Sequence, residues 1–142
     1  MIVLASLLTW NHIHPLLVHF STALIPASIV SDAIGKYFDR NSLTAAAWWM
    51  AFYGAVATPI TVVAGWMWAD QFPLTAAQSL PGLSVHKWLG VSLAVVFVAL
   101  AVWRGSTFVS MKKPSIVYLI SGVLVVGALM YQGFLGGRMT IG

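Results

Sequence analysis

Four long apolar runs, separated by short polar breaks, leave this chain little choice but a lipid bilayer. A transmembrane helix needs about 20 mostly apolar residues. Runs of that length lie at about 15–35, 46–69, 85–103 and 115–135 in the 142-residue sequence. The stretches KYFDRNS, DQFPLTAAQSLPGLS and RGSTFVSMKKP punctuate them. Composition closes the soluble alternative. Charged residues are 7% of the chain against 60% apolar, whereas soluble domains carry about 25% charged residues. Ten charges do not cover the surface of a soluble fold. The expected fold is therefore all-α: an integral membrane four-helix bundle, residues 1–142 forming one four-span domain.

Charge placement orients the bundle. With four spans, both termini and the central loop share one face, here side A, and the other two loops lie on side B. Side B collects Lys36, Arg40, Arg104, Lys112 and Lys113, and side A has Lys87 and Arg138. Short loops rich in Lys and Arg stay cytoplasmic, so side B is expected inside and both termini outside. Trp48 and Trp66 are 18 residues apart in the sequence. That is about 27 Å along a helix, close to the separation of interfacial aromatic belts. The scattered basic residues do not form a nucleic-acid patch. Met1 to Thr9 lacks the basic start and small-residue cleavage site of a signal peptide, so it is expected to remain on the mature protein.

The chain has no cysteine, which excludes disulfides, thiolate metal sites and iron–sulfur clusters. It has no Ser-His-Asp arrangement, paired carboxylates or phosphate loop, and its loops are short. It reads as a subunit that carries a group and not as an enzyme on its own.

Counting spans brings the chemistry to one place. His12, His14 and His19 open the first span on side A, and His86 opens the third on side A. Asp70 ends the second span and Arg138 follows the fourth, also on side A. Ionisable groups inside spans are uncommon and mark functional sites. The order of segments also suggests duplication, as two tandem helical hairpins. Val18-His19 recurs as Val85-His86, and Gly54 and Gly65 match Gly122 and Gly133. A parallel repeat of this kind relates the halves by an axis along the membrane normal.

Two ligand sets follow. Imidazoles on opposed helices of a bundle can hold a b-type haem from both sides. His19 and His86 are the expected pair, with His14 beside them or in place of His19, and Arg138 and Lys87 are placed to meet the propionates. The alternative set, His14, His19, His86 and Asp70, offers three nitrogens and an oxygen to zinc, copper or non-haem iron. In the third reading the protein is a structural or assembly subunit without a cofactor. The haem reading implies partners among other membrane redox subunits or a periplasmic electron carrier. It implies no relay across the membrane, since side B has no histidine. Against these stand plainer roles. His12 reads as interfacial, His14 as a helix cap, Asp70 as a solvated loop residue, Asp39 and Arg40 as loop charges, and Asp32 as the helical ion-pair partner of Lys36.

His14-Pro15-Leu16-Leu17-Val18-His19-Phe20 resembles the opening signature of a bacterial membrane family known as domain of unknown function 2231. The likeness runs through the chain. It covers four spans, an acidic residue near the end of the first (Asp32), a histidine opening the third (His86), and a glycine-rich end to the fourth (Gly133, Gly136 and Gly137). Ser21 stands where the family usually has proline. The resemblance implies the four-span fold, and the redox and cytochrome contexts of such relatives lean toward haem.

Overall fold

The computed structural model describes residues 10–71 and 82–141. The expectation for Met1–Thr9 and the centre of the loop between the second and third spans lie outside the described residues. Four helices make up the fold: α1 (Trp10–Tyr37), α2 (Asn41–Ala69), α3 (Leu83–Val109) and α4 (Ile116–Ile141). Each is long and apolar enough to cross a membrane, so the protein is an all-α membrane bundle. The helices pack in a ring, α1 against α2, α2 against α3, α3 against α4 and α4 back against α1. The face holding the start of α1 and the end of α4 is the histidine end. The opposite face, where α1 turns into α2 and α3 into α4, is the turn end.

The helices outrun the apolar spans. α2 begins at Asn41, not near 46, and α3 continues to Val109, not 103. α1 begins five residues before Pro15, which therefore lies inside the helix and not in its first turn. One interior proline removes a single backbone hydrogen bond. The first turns of α1 are held instead by side-chain contact with α2, through His14.

The two hairpins repeat, in a different register from the sequence expectation. Buried Ser21, Ile25, Ser28, Ile29 and Asp32 of α1 correspond to buried Leu93, Phe97, Leu100, Ala101 and Arg104 of α3, each 72 positions on. In the second helices the offset is 71. Ala47, Ala51, Gly54 and Thr58 of α2 correspond to Tyr118, Gly122, Val125 and Leu129 of α4, all buried. By this rule His86 is the counterpart of His14, not of His19, and Gly136, not Gly133, is the counterpart of Gly65. The turns repeat as well. Asp39 and Met111, again 72 apart, both take the left-handed conformation, with φ of 54° and 55°. The Arg40 amide closes onto the Gly35 carbonyl at 2.9 Å and the Lys112 amide onto the Thr107 carbonyl at 2.8 Å. This wide helix-ending bond satisfies carbonyls that would otherwise be orphaned.

An apolar core of Ile25, Ile29, Leu93, Phe97, Leu100, Leu119, Val125 and Leu129 fills the middle of the ring. Lipid tails are as apolar as these side chains, so close packing and hydrogen bonds hold the helices together more than burial does. Small residues permit that closeness. A Cβ on Gly122 would overlap Ile29, and one on Gly54 would lie 2.9 Å from Phe97.

Below the core, near the turn end, lies a buried ion pair that joins the two hairpins. Arg104 Nε donates to Asp32 Oδ2 at 2.7 Å and Nη2 to Oδ1 at 2.8 Å. Both side chains are fully buried. Arg104 Nη1 also donates to Thr107 Oγ1 at 3.2 Å. This corrects two expectations. Asp32 pairs across the bundle and not with Lys36, whose ammonium donates to the Pro114 carbonyl at 2.6 Å. Arg104 is a neutralised core residue and not a free topology charge. The reason is dielectric. A carboxylate facing the apolar interior needs a partner that also faces inward, and Lys36 lies where its head can reach the helix end instead. Lys36, Arg40, Lys112 and Lys113 keep the turn end basic.

Candidate functional site

At the histidine end one imidazole enters the bundle from each hairpin. His14, on the fifth residue of α1, is half-buried. Its Nδ1 lies 2.9 Å from the Thr61 carbonyl of α2. A carbonyl only accepts, so Nδ1 carries the ring proton and Nε2 keeps its lone pair. The ring sits directly on Gly65, where a Cβ would come within 2.7 Å of Cε1. Trp68 flanks it at 5.8 Å between ring centroids. A glycine is needed at 65 because the imidazole occupies the space of its side chain.

His86 repeats this arrangement on α3 and α4 with one change. It sits over Gly136, where a Cβ would lie 3.1 Å from Cε1. Its holding residue is a side chain, not a backbone carbonyl. Gln132, the counterpart of Thr61, donates from Nε2 to the His86 carbonyl at 2.9 Å. The same amide nitrogen stands 3.4 Å from His86 Nε2. Glycine at 90 gives that amide room, since a Cβ there would meet it at 3.0 Å.

Among the described residues, three buried side-chain polar atoms lack a hydrogen-bond partner: Trp66 Nε1, His86 Nδ1 and Gln132 Oε1. All belong to the histidine end. An unpaired buried polar atom costs about 1–3 kcal/mol. Folded proteins keep few such atoms, and a ligand or ion bound beside one can supply the missing partner.

The remaining candidates are placed differently. His19 is exposed on the outer surface of α1, beside exposed Phe20. It lies five residues from His14, roughly 140° around the helix, so the bundle turns His14 inward and His19 outward. His12 is exposed and lies within α1. Asp70 caps α2 and stands 3.7 Å from Lys87 Nζ with its side chain largely exposed. Lys87 in turn lies over the Trp66 ring at 4.0 Å. Arg138 is an exposed residue of α4, its guanidinium 5.7 Å from the Phe134 ring centroid. Among the described residues no three His, Asp or Glu side chains are grouped to hold a metal ion. The structure thus packs His14 and His86, both half-buried, against neighbouring helices and leaves His19 and Asp70 exposed.

Thr61 and Gln132 escape a reading of the sequence alone, one because it acts through its carbonyl, the other as a lone amide in an apolar run. The repeat is the signal that finds both. His14, Thr61 and Gly65 reappear as His86, Gln132 and Gly136 once the offsets are known.

A family model described as "Predicted membrane protein (DUF2231)" matches residues 11–142. No solved structure matches the chain.

Proposed function

The chain belongs to the DUF2231 family of predicted membrane proteins, and on that premise we propose that it is a membrane electron carrier with a b-type haem at the histidine end, which His14 and His86 would hold. One observation carries this reading: two imidazoles at repeat-equivalent positions on α1 and α3, helices on opposite sides of the ring, both facing inward. The donor set suits haem iron. It consists of two neutral nitrogens. His14 is oriented as ligating histidines are, its Nδ1–H held by a carbonyl and its Nε2 lone pair uncovered. Gly65 and Gly136 let both rings press against the neighbouring helices. Arg138 and Lys87, at the same end, would be the cations available to propionates. Bound there, haem supplies one-electron transfer.

The basic turn end is read as cytoplasmic. The site then faces the periplasm of a bacterial inner membrane, and its partners are a periplasmic electron carrier or other membrane redox subunits. With no histidine at the turn end, electrons enter and leave on one side.

The test is a reduced-minus-oxidised visible spectrum of detergent-purified protein from haem-replete cells. Wild type and His19→Ala should show b-type bands, and His14→Ala and His86→Ala should lack them. A colourless wild-type protein that also leaves added hemin unshifted would overturn the reading.

A further inference from the structure

The two histidines occupy matching positions yet offer different atoms. His14 donates from Nδ1 to the Thr61 carbonyl and leaves Nε2 open as a lone pair. His86 is the reverse. An amide nitrogen has hydrogens and no available lone pair. The contacts of Gln132 Nε2 with the His86 carbonyl and with His86 Nε2 are therefore both donations. His86 Nε2 must be the accepting nitrogen, and the ring proton sits on Nδ1, buried without an acceptor. Neither nitrogen is then open to a metal. Gln132 covers one, and its own proton closes the other. The arrangement strands Gln132 Oε1 and His86 Nδ1 together, two unpaired atoms where the first hairpin's histidine has its donor satisfied.

We propose that Gln132 is a cap on His86, a positioning residue that sets which His86 nitrogen the site offers. His14 Nε2 would be open to a metal centre as it stands, and His86 Nε2 would be open only once the amide leaves it. The identity of the metal centre rests on the haem reading above; the cap is a property of the protein alone. The two hairpins explain why only one histidine is capped. Thr61, at the equivalent place, is too short to reach across, and its hydroxyl is committed to the Ala57 carbonyl at 2.8 Å. The room at Gly90 admits the longer Gln132 side chain.

The experiment uses the full-length protein in detergent with ¹⁵N-labelled histidine. In wild type without added hemin, His86 should carry its proton on Nδ1. Gln132→Met keeps the length of the side chain and removes its N–H groups. His86 should then move toward the Nε2-protonated form that free imidazole prefers, while the His14 signals stay in place. Hemin should bind Gln132→Met about fivefold more tightly, the worth of one neutral hydrogen bond. Gln132→Asn, too short to reach Nε2, should give the same two results and serves if the methionine variant misfolds. An unchanged His86 tautomer, or hemin bound equally tightly by wild type and variant, overturns the cap. A tautomer change in a protein that binds no hemin with or without Gln132 supports the cap and sinks the haem reading instead.

Discussion

The two ends of this bundle treat buried polarity in opposite ways. At the turn end a carboxylate and a guanidinium meet in a two-pronged pair at 2.7 and 2.8 Å, with Thr107 adding a further contact. At the histidine end, Trp66 Nε1, His86 Nδ1 and Gln132 Oε1 are buried without partners. Among the described residues, every such orphan lies at this one end. Satisfied polar groups in a low-dielectric interior hold one arrangement firmly, whereas unsatisfied ones raise the energy of the state that contains them. The turn end therefore fixes the bundle more firmly than the histidine end does. The same contrast recurs between the hairpins, since His14 has its donor satisfied and His86 does not.

The largest expected effect breaks the firm end. Arg104→Ala leaves the Asp32 carboxylate buried and alone, and should destabilise the protein by about 3–5 kcal/mol. The double change Asp32→Leu with Arg104→Met should recover most of that loss, because two apolar residues can replace a buried ion pair at little cost. Unfolding followed by circular dichroism in mixed micelles reads both. A double variant as unstable as the single would mean that the pair does more than cancel its own charges.

Next in size is a change that touches both stability and site. Gly65→Ala forces the His14 ring away from α2 and should cost about 1–3 kcal/mol, the range for overpacking. It should also break the Nδ1 contact with Thr61, seen as a shifted His14 ¹⁵N signal. Retention of the wild-type signal would show that α1 can give way without losing the bond.

The third effect is small by design. Gln132→Met removes one orphan acceptor along with two donated contacts, one of them long at 3.4 Å, so its stability should stay within about 1–2 kcal/mol of wild type. A loss as large as that of Arg104→Ala would erase the distinction between the two ends.

The smallest effect belongs to the exposed pair across the two turns. The Lys113 ammonium beside Asp39 holds its carboxyl below the ordinary value of 3.8. A carboxyl depressed in the folded protein adds stability that is present above its unfolded pKa and lost as pH falls through the folded one. Asp39→Asn should therefore differ slightly from wild type at neutral pH and low salt. The difference should vanish well below the ordinary carboxyl value, and in high salt, where exposed charges are screened. A difference that persists under both conditions would point to the left-handed turn at Asp39, with φ of 54°, and not to charge.

Much of this is legible without coordinates. Apolar runs report spans because bilayer thickness is a length, and length is counted directly along a chain. The gathering of His14, His86, Asp70 and Arg138 at one end follows from the parity of four crossings. The expected pairing of Asp32 with Lys36 fails for a clear reason. Helical spacing exposes local partners and hides those 72 residues away, such as Arg104. The repeat is visible in the sequence, but Val18-His19 and Val85-His86 set its register by identical letters. The burial pattern sets it by environment, and so aligns Asp32 with Arg104 and Thr61 with Gln132, residues that share no letters.

What the amino-acid order settled by itself is one-dimensional: how many helices cross, which stretches of chain lie in the bilayer, and which end holds the imidazoles. What only the packed bundle decided is rotational. His14 and His19 are both near the start of α1, and nothing local says which of them looks inward. That depends on how α1 turns about its own axis to seat a ring on Gly65 and a carboxylate on Arg104. These contacts are made by other helices, and a helix cannot carry them in its own sequence.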